Sequence, residues 1–358
     1  MNYNDYRRKS SKVFVGQVAI GGDADISIQS MTNTDTHDVE STYNQVVALR
    51  DAGCDIVRIT APDEESVKTF AELKRRGVGV PLVADIHFNH KIAILAAEAG
   101  VDKIRINPGN IGSKERVREV VKACTERGIP IRIGVNSGSL EKEILEKYGA
   151  PTAEALAESA LYHAQLLEDL DFHNIIISVK SSNVQSMIRA NRILAERTSY
   201  PLHLGVTEAG ARDRALVKSS VGVGTLLAEG IGDTVRVSLT DDPTLEVESA
   251  RMILASLDLL ENRGMDIVSC PTCGRTKIDL ISLSLEFERR AKELGLDKKN
   301  IKVALMGCVV NGPGEAREAD VGIAGGDGCG LLFKKGEIIR KIDEKNLIDE
   351  LIFEISRM

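Results

Sequence analysis

Tryptophan is absent from the chain, and aromatic residues make up only 4% of it. Binding nucleic acid by stacking bases on aromatic platforms is therefore not expected. No run of about 18 apolar residues occurs, so no membrane-spanning helix is expected either. The N-terminal stretch from Met1 to Lys9 leads into no apolar signal segment, which points to a cytoplasmic protein. Positive charge is also short, since Lys+Arg 46 against Asp+Glu 53 gives a net charge of -7. That balance argues against a general nucleic-acid binder but leaves room for a local basic pocket.

The chain has 358 residues, of which 43% are hydrophobic and 28% charged. This is the balance of a globular protein, not a disordered or fibrous one. The length suggests about two domains, and a chain of this size buries around three quarters of its unfolded surface. Such a core needs no disulfide staples. The six cysteines, Cys54, Cys124, Cys270, Cys273, Cys308 and Cys329, therefore need another explanation. In a reducing compartment clustered cysteines are metal ligands or catalysts first, and isolated ones are small buried apolar residues.

Up to about residue 264, short β-branched runs alternate with amphipathic stretches. The runs are Ile26 to Met31, Asp55 to Thr60, Pro81 to His87, Lys103 to Asn107, Pro130 to Asn136, Asn174 to Lys180, Leu202 to Glu208 and Thr234 to Thr240. Segments between them, such as Ser113 to Arg127 and Thr152 to Leu170, read as helices. Several end in a glycine suited to a left-handed cap: Gly53, Gly77, Gly100, Gly128, Gly230 and Gly264. Eight strand–helix units of this size predict an α/β protein with a (β/α)8 TIM barrel over residues 1–264. A doubly wound sheet is disfavoured, because no Gly-x-Gly-x-x-Gly loop follows the first strand. Residues 11 to 25, with Gly21-Gly22-Asp23, predict a small hairpin ahead of the barrel.

Four of the strands carry an arginine between β-branched residues: Val57-Arg58-Ile59, Ile104-Arg105-Ile106, Ile131-Arg132-Ile133 and Val235-Arg236-Val237. Strand side chains alternate, so if the flanking Val and Ile face the helices, each arginine points into the barrel. Lys180 has the same setting. Acids at comparable places are fewer, namely Asp85 and Glu208, so the pocket is about three charges positive. Unpaired buried guanidinium groups cost several kcal/mol each, and arginine forks match phosphate oxygens. A phosphate or diphosphate ester is the expected ligand. The bland alternative is that each strand arginine pairs with a local carboxylate, which is harder to sustain for four in register. His87, beside Asp85 near a strand's C-terminal end, is a candidate for the same site. Asn107, Asn136 and Ser238 share the arginine parity and add neutral donors. Glu208 is the candidate proton donor, on the expectation that a partly desolvated pocket raises its pKa; otherwise it pairs with an arginine.

Residues 265–358 break the repeat and predict a small α+β domain. A strand at Asp266 to Ser269 leads into Cys270-Pro271-Thr272-Cys273-Gly274-Arg275, then a helix from about Lys277 to Leu294. A strand from Asn300 to Met306 precedes Gly307-Cys308-Val309-Val310-Asn311-Gly312-Pro313-Gly314-Glu315. A strand at Asp320 to Ala324, a hairpin around Lys335-Gly336 and a helix from Glu344 follow. Cys-x-x-Cys places two thiolates where both reach one metal centre, and Cys308, on the turn after a neighbouring strand, supplies a third. A thioredoxin-like pair would leave Cys308 unexplained. A structural zinc with Cys329 as fourth ligand is the rival reading, which would make the protein a phosphate-binding barrel lyase or aldolase with a zinc module. Cys54 and Cys124 read as core residues. The Cys-x3-Cys-x2-Cys run of S-adenosylmethionine radical chemistry is absent, as is a nucleotide fingerprint for binding NADPH.

The two cysteine motifs, together with Gln29-Ser30-Met31-Thr32-Asn33-Thr34 and the barrel arginines, resemble the bacterial 4-hydroxy-3-methylbut-2-enyl diphosphate synthase family in its short form. The resemblance covers essentially the whole chain. It implies reductive ring opening and dehydration of 2-C-methyl-D-erythritol 2,4-cyclodiphosphate to (E)-4-hydroxy-3-methylbut-2-enyl diphosphate, in the non-mevalonate isoprenoid pathway. It implies a 4Fe-4S cluster on Cys270, Cys273, Cys308 and Glu315, with Cys329 a bystander, in a domain resembling the sulfite/nitrite reductase type. Glu315 would be the exchangeable ligand, since a carboxylate is harder and less firmly held on iron than a thiolate. The implied diphosphate-binding residues are Arg58, Arg105, Arg132, Lys180 and Arg236, with His87 and Ser238 alongside; Glu208 and Asn136 match the family's pocket carboxylate and asparagine. A ferredoxin or flavodoxin is implied as electron donor, and a homodimer as the assembly.

Overall fold

The computed structural model describes residues 3–260, 264–308 and 316–358, and the chain divides into two units, residues 1–260 and 261–358. In the first unit eight strands run parallel: β1 Ser27–Met31, β2 Ile56–Thr60, β3 Leu82–Asp85, β4 Lys103–Ile106, β5 Ile131–Asn136, β6 Ile175–Lys180, β7 His203–Leu204 and β8 Thr234–Val235. Their order is β6-β5-β4-β3-β2-β1-β8-β7, and a parallel bridge between Ile177 and Leu202 joins the two ends. The barrel expected from the repeat is present.

Each helix begins and ends where side-chain chemistry dictates. Asp38, Asn89, Thr152, Asn183 and Asp242 cap helix N-termini by accepting from backbone N–H groups one turn in. At the other end, Gly77 and Gly128 adopt the left-handed conformation, with φ of 69° and 65°, where a Cβ would be strained.

Alternation along the strands sorts the core in two. Val57, Ile59, Ile104, Ile106, Ile133, Ile177 and Val179 face outward and are buried among the helices. Arg58, Asp85, Lys103, Arg105, Arg132 and Lys180 have the opposite parity and are also buried, which puts them in the lumen. The N-terminal hairpin, Val13–Val15 paired antiparallel with Val18–Ile20, closes one end. Its Val13, Val15 and Ile20 pack with Ile56, Val83 and Ile176, which stand at or near the N-terminal starts of their strands. Each such aliphatic stabilises the fold by about 1.5–3 kcal/mol. With that end stoppered by apolar side chains, the polar lumen opens at the C-terminal ends of the strands.

Two strands are shorter than expected. The ladder ends at Leu204 and Val235, well before Glu208 and Thr240, because the chain turns at Glu208 (φ 50°) and Gly210 (φ 103°). Arg236 and Ser238 thus lie past β8: Arg236 N still donates to Leu204 O at 3.0 Å on the β7 side, but the register with β1 ends at Val235.

The second unit is α+β, as expected. Its mixed sheet contains β9 Asp266–Ser269, β10 Lys302–Met306, β11 Val321–Gly325, β12 Cys329–Lys334 and β13 Glu337–Asp343, in that order, the first three parallel and the rest antiparallel. Helices Leu280–Glu293 and Leu347–Ser356 cover one face, with Phe287, Leu347 and Leu351 against Val303, Leu305 and Ile323. Asp279 caps the first helix through Ser282 N, starting it slightly later than the pattern suggested.

Candidate functional site

At the open end of the barrel is a cavity of about 360 Å³. Arg58, His87, Arg105, Arg132, Asn136, Lys180, Arg236 and Ser238 all line it, and so do Met31, Thr60, Asp85, Gly134, Ser178 and Thr207. Strand parity therefore brought together every expected pocket residue but two, Glu208 and Asn107. Glu208 is exposed and is not among the lining residues. The reason is its left-handed backbone: past Leu204 the inward places fall to Gly205 and Thr207, and Glu208 turns toward solvent. The desolvated setting expected for its carboxyl is not the one it occupies. Asn107, just past the end of β4, is buried and outside the lining, and His87, which lines the cavity, is exposed.

A larger groove, about 1000 Å³, lies on the outside of the barrel between helices Lys114–Arg127 and Ala153–Glu168. Its Arg118 and Arg197 are interspersed with Glu141, Glu143 and Glu158. Volume alone does not locate a site, and convergence of like charge does.

Asp85 is the one acid lining the cavity among the described residues. Its Oδ1 accepts from Arg105 Nη1 at 3.1 Å, and Oδ2 lies 3.6 Å from Arg58 Nε. Burial would raise its pKa, but Arg58, Arg105, His87 and Arg132 together hold it at about 2. Arg58 also sets Nε and Nη2 against Met31 Sδ at 3.1 and 2.9 Å, and burial pushes its pKa down to about 10. Arg132 is buried with Nε and Nη2 lacking any hydrogen-bond partner. Among the described residues no carboxylate lies within ion-pair distance of Arg132 or Lys180. Burial, then the neighbouring arginines, depresses the pKa of both well below the ordinary value.

Two residues escaped the sequence reading. Glu246, from helix Pro243–Ser256, takes Arg236 in a bidentate pair: Nε to Oε2 at 3.1 Å and Nη2 to Oε1 at 3.0 Å. The pocket therefore has five cations against two buried carboxylates, Asp85 and Glu246, about three positive charges as expected but with Glu246 in the place given to Glu208. Lys103 is fully buried beneath, its Nζ donating to Gln29 Oε1 at 3.1 Å. Its signal was present in the sequence, since it shares parity with Arg105. Glu246 had none, because its partner is ten residues back on a different element.

In the second unit, Cys270 and Cys308 follow adjacent parallel strands β9 and β10, so both loops leave the same sheet edge. Gly307 N donates to Cys270 Sγ at 3.2 Å. Lys277 N donates to Gly307 O at 3.1 Å, and a Cβ on Gly307 would meet Thr276 at 2.8 Å. The Cys-x-x-Cys turn, where Cys273 N donates to Thr276 Oγ1 at 3.1 Å, is thereby stitched to the Cys308 loop. Cys273 is exposed, and hydrogen bonds from Arg275 lower its pKa, favouring the thiolate that binds metal. Soft thiolates on one edge suit an iron–sulfur cluster or zinc. Among the described residues no three His, Cys, Asp or Glu side chains already form a metal cage, and Glu315 lies outside the described residues. Cys54 and Cys124 are buried, and burial raises both thiols to about 12, as befits core residues.

A closed (β/α)8 barrel with a cationic pocket, followed by a unit presenting thiols at one sheet edge, defines the class: a two-unit α/β barrel protein with a cationic cavity and a thiol-bearing second unit. Residues 10–251 match the family model described as the GcpE TIM-barrel domain, and residues 266–357 that of the GcpE protein C-terminal domain; the chain belongs to the GcpE family. A Clostridium perfringens relative, 4-hydroxy-3-methylbut-2-en-1-yl diphosphate synthase (flavodoxin), is 59% identical over 97% of this chain and 98% of its own. The protein of the same name from Geobacillus thermodenitrificans is 54% identical over 99% and 93%. Among solved structures, dihydropteroate synthase from Thermus thermophilus superposes with a TM-score of 0.50 at 14% identity, over 70% of this chain and 99% of that one. This last likeness concerns the fold alone.

Proposed function

We propose that the protein reductively opens and dehydrates 2-C-methyl-D-erythritol 2,4-cyclodiphosphate to (E)-4-hydroxy-3-methylbut-2-enyl diphosphate. The observation that carries the reading is the convergence of Arg58, Arg105, Arg132, Lys180 and Arg236 on one cavity, with Arg132 donors unpartnered. Full-length relatives bearing the synthase name support it. The zinc-bearing aldolase reading has no such support.

In this reading the diphosphate lies across the arginines, and Asn136 and Ser238 orient the remainder by neutral hydrogen bonds. Negative charge that develops on the departing phosphate oxygen as the ring opens is stabilised by guanidinium groups already in place, with no reorganisation at the moment of reaction. His87 and Glu208, both exposed at the mouth, are the groups from which a proton reaches the leaving hydroxyl or which orient the substrate. Cys270, Cys273 and Cys308, with Glu315, would hold a 4Fe-4S cluster, which when bound supplies two electrons one at a time. The chain itself shows no nucleotide fingerprint, and the relatives' names specify flavodoxin, so flavodoxin is the proposed donor, with ferredoxin as the alternative. A homodimer and a cytoplasmic location complete the proposal; among the described residues no helix is long and apolar enough to cross a membrane.

Anaerobic incubation with the cyclodiphosphate and dithionite tests it. The linear diphosphate should form, and the protein should be brown with about four irons per chain. A colourless protein holding one zinc and forming no product would overturn the reading.

A further inference from the structure

We propose that Glu246 is a positioning residue of the cavity, setting the direction of Arg236 and the placement of Ser238 toward a bound diphosphate. The inference rests on the reading above, in which those two residues contact the ligand. Glu246 itself is not among the residues lining the cavity.

The need for such a residue follows from the shortness of β8. Its ladder to β1 consists of Thr234 with Ser27 and Val235 with Ile28, and it ends before Arg236. The two residues that β8 delivers to the cavity therefore sit on backbone that the sheet does not hold on that side. Glu246 replaces the missing ladder. Its Oε1 accepts from Arg236 Nη2 at 3.0 Å and from Leu239 N at 3.1 Å. Its Oε2 accepts from Arg236 Nε at 3.1 Å and from Ser30 Oγ at 2.8 Å. One carboxylate thus ties together β1, the chain past β8 and the first turn of helix Pro243–Ser256. The bond to Leu239 N pins the peptide next to Ser238.

The geometry also divides the guanidinium. Nε and Nη2 are committed to Glu246, which leaves the Nη1 side for an anion in the cavity. Glu246 is 4% exposed, so the pair is little screened. An ordinary structural ion pair would hold the fold without regard to the cavity. Here both groups that are held, Arg236 and Ser238, line it.

Glu246→Asp separates position from charge, because it keeps the carboxylate and withdraws it by one methylene. The test is calorimetric titration of the full-length protein with inorganic pyrophosphate, using wild type, E246D, R236A and the double variant, with thermal melting alongside. E246D is expected to bind pyrophosphate about tenfold more weakly, and the double variant to lose clearly less than the product of the two single losses, because Glu246 acts largely through Arg236 and only in part through Ser238. Wild-type affinity in E246D, or a double-variant loss equal to the product of the single ones, overturns the inference while leaving Arg236 as a ligand. Undiminished binding by R236A overturns both the inference and the assignment of Arg236. Should E246D fail to fold, Ser30→Ala takes its place: it frees Oε2 from one hydrogen bond and should weaken binding about fivefold, and by clearly less in the R236A background.

Discussion

Asp85 Oδ1 accepts a hydrogen bond from Arg105 Nη1 at 3.1 Å, while Oδ2 of the same carboxylate faces Arg58 Nε at 3.6 Å. One buried acid thus spaces two arginines from neighbouring strands. Removing its charge leaves both guanidinium groups buried without a counterion, so Asp85→Asn should destabilise the protein by about 3 kcal/mol. Saturating pyrophosphate should restore more stability to the variant than to wild type, since it supplies the lost negative charge. Urea unfolding with and without pyrophosphate measures both. The sign with pH is fixed as well: the folded-state pKa of about 2 lies below the ordinary 3.8, so the stabilisation is full above about pH 4 and fades as pH falls through 2.

Lys103 gives a dependence of the same sign in a higher pH window. Burial, then Arg132 and Arg58, depresses its pKa well below the ordinary 10.5. Between the depressed value and 10.5 the unfolded chain binds a proton that the folded chain does not, so stability rises with pH across that window. The slope is up to about 1.4 kcal/mol per pH unit for one lysine. Lys103→Met should flatten the rise by about that amount. Denaturation series from pH 7 to pH 10 would expose the difference, and parallel slopes would show that Lys103 keeps its proton when folded.

How much of this was legible in the sequence depended on whether the signal was local. An arginine between two β-branched residues states its own direction, because strand alternation is fixed by backbone geometry; Arg58, Arg105 and Arg132 were therefore readable without a structure. Lys103 obeyed the same rule and was missed only because it opens its strand. Glu208 was misplaced although its signal was local: it shares the parity of Leu204 and Val206, which face the helices, while Thr207 takes the inward place. Glu246 was beyond reach, since its partnership with Arg236 exists only once helix and strand have docked. In the second unit the Cys-x-x-Cys turn and the strand before Cys308 were local features, and their convergence followed from parallel pairing of β9 with β10.

The cysteines divide by the same geometry. Cys270, Cys273 and Cys308 share two stitched loops, whereas Cys329 opens β12, separated from β10 by β11. If the three bind the cluster, Cys308→Ser should cost most of the iron and acid-labile sulfide of anaerobically purified protein, and Cys329→Ser should cost none. Equal losses in the two variants would point to four cysteine ligands and revive the zinc-like arrangement.

The last prediction concerns a side chain that is missing. Gly134 lies on β5 with the inward parity of Arg132 and Asn136, and a Cβ there would stand 2.4 Å from Arg105 Nε and 2.9 Å from Nη2. Those contacts are shorter than any real Cβ tolerates, so the space that Arg105 occupies is the space a larger residue would take. Arg105 Nη2 donates to Gly134 O at 3.2 Å, which fixes the guanidinium over this gap. Gly134→Ala adds one methyl and no charge, and its φ is not in the left-handed region, so the backbone accepts it without strain. The methyl instead drives Arg105 off Asp85 and off the ligand. A charge-assisted hydrogen bond contributes about 1.5–3 kcal/mol, so pyrophosphate affinity should fall between about tenfold and a hundredfold. Arg105→Met, which removes the guanidinium and its charge, should give at least as large a loss, and adding Gly134→Ala to it should cost nothing further, because the arginine with which the methyl collides is gone.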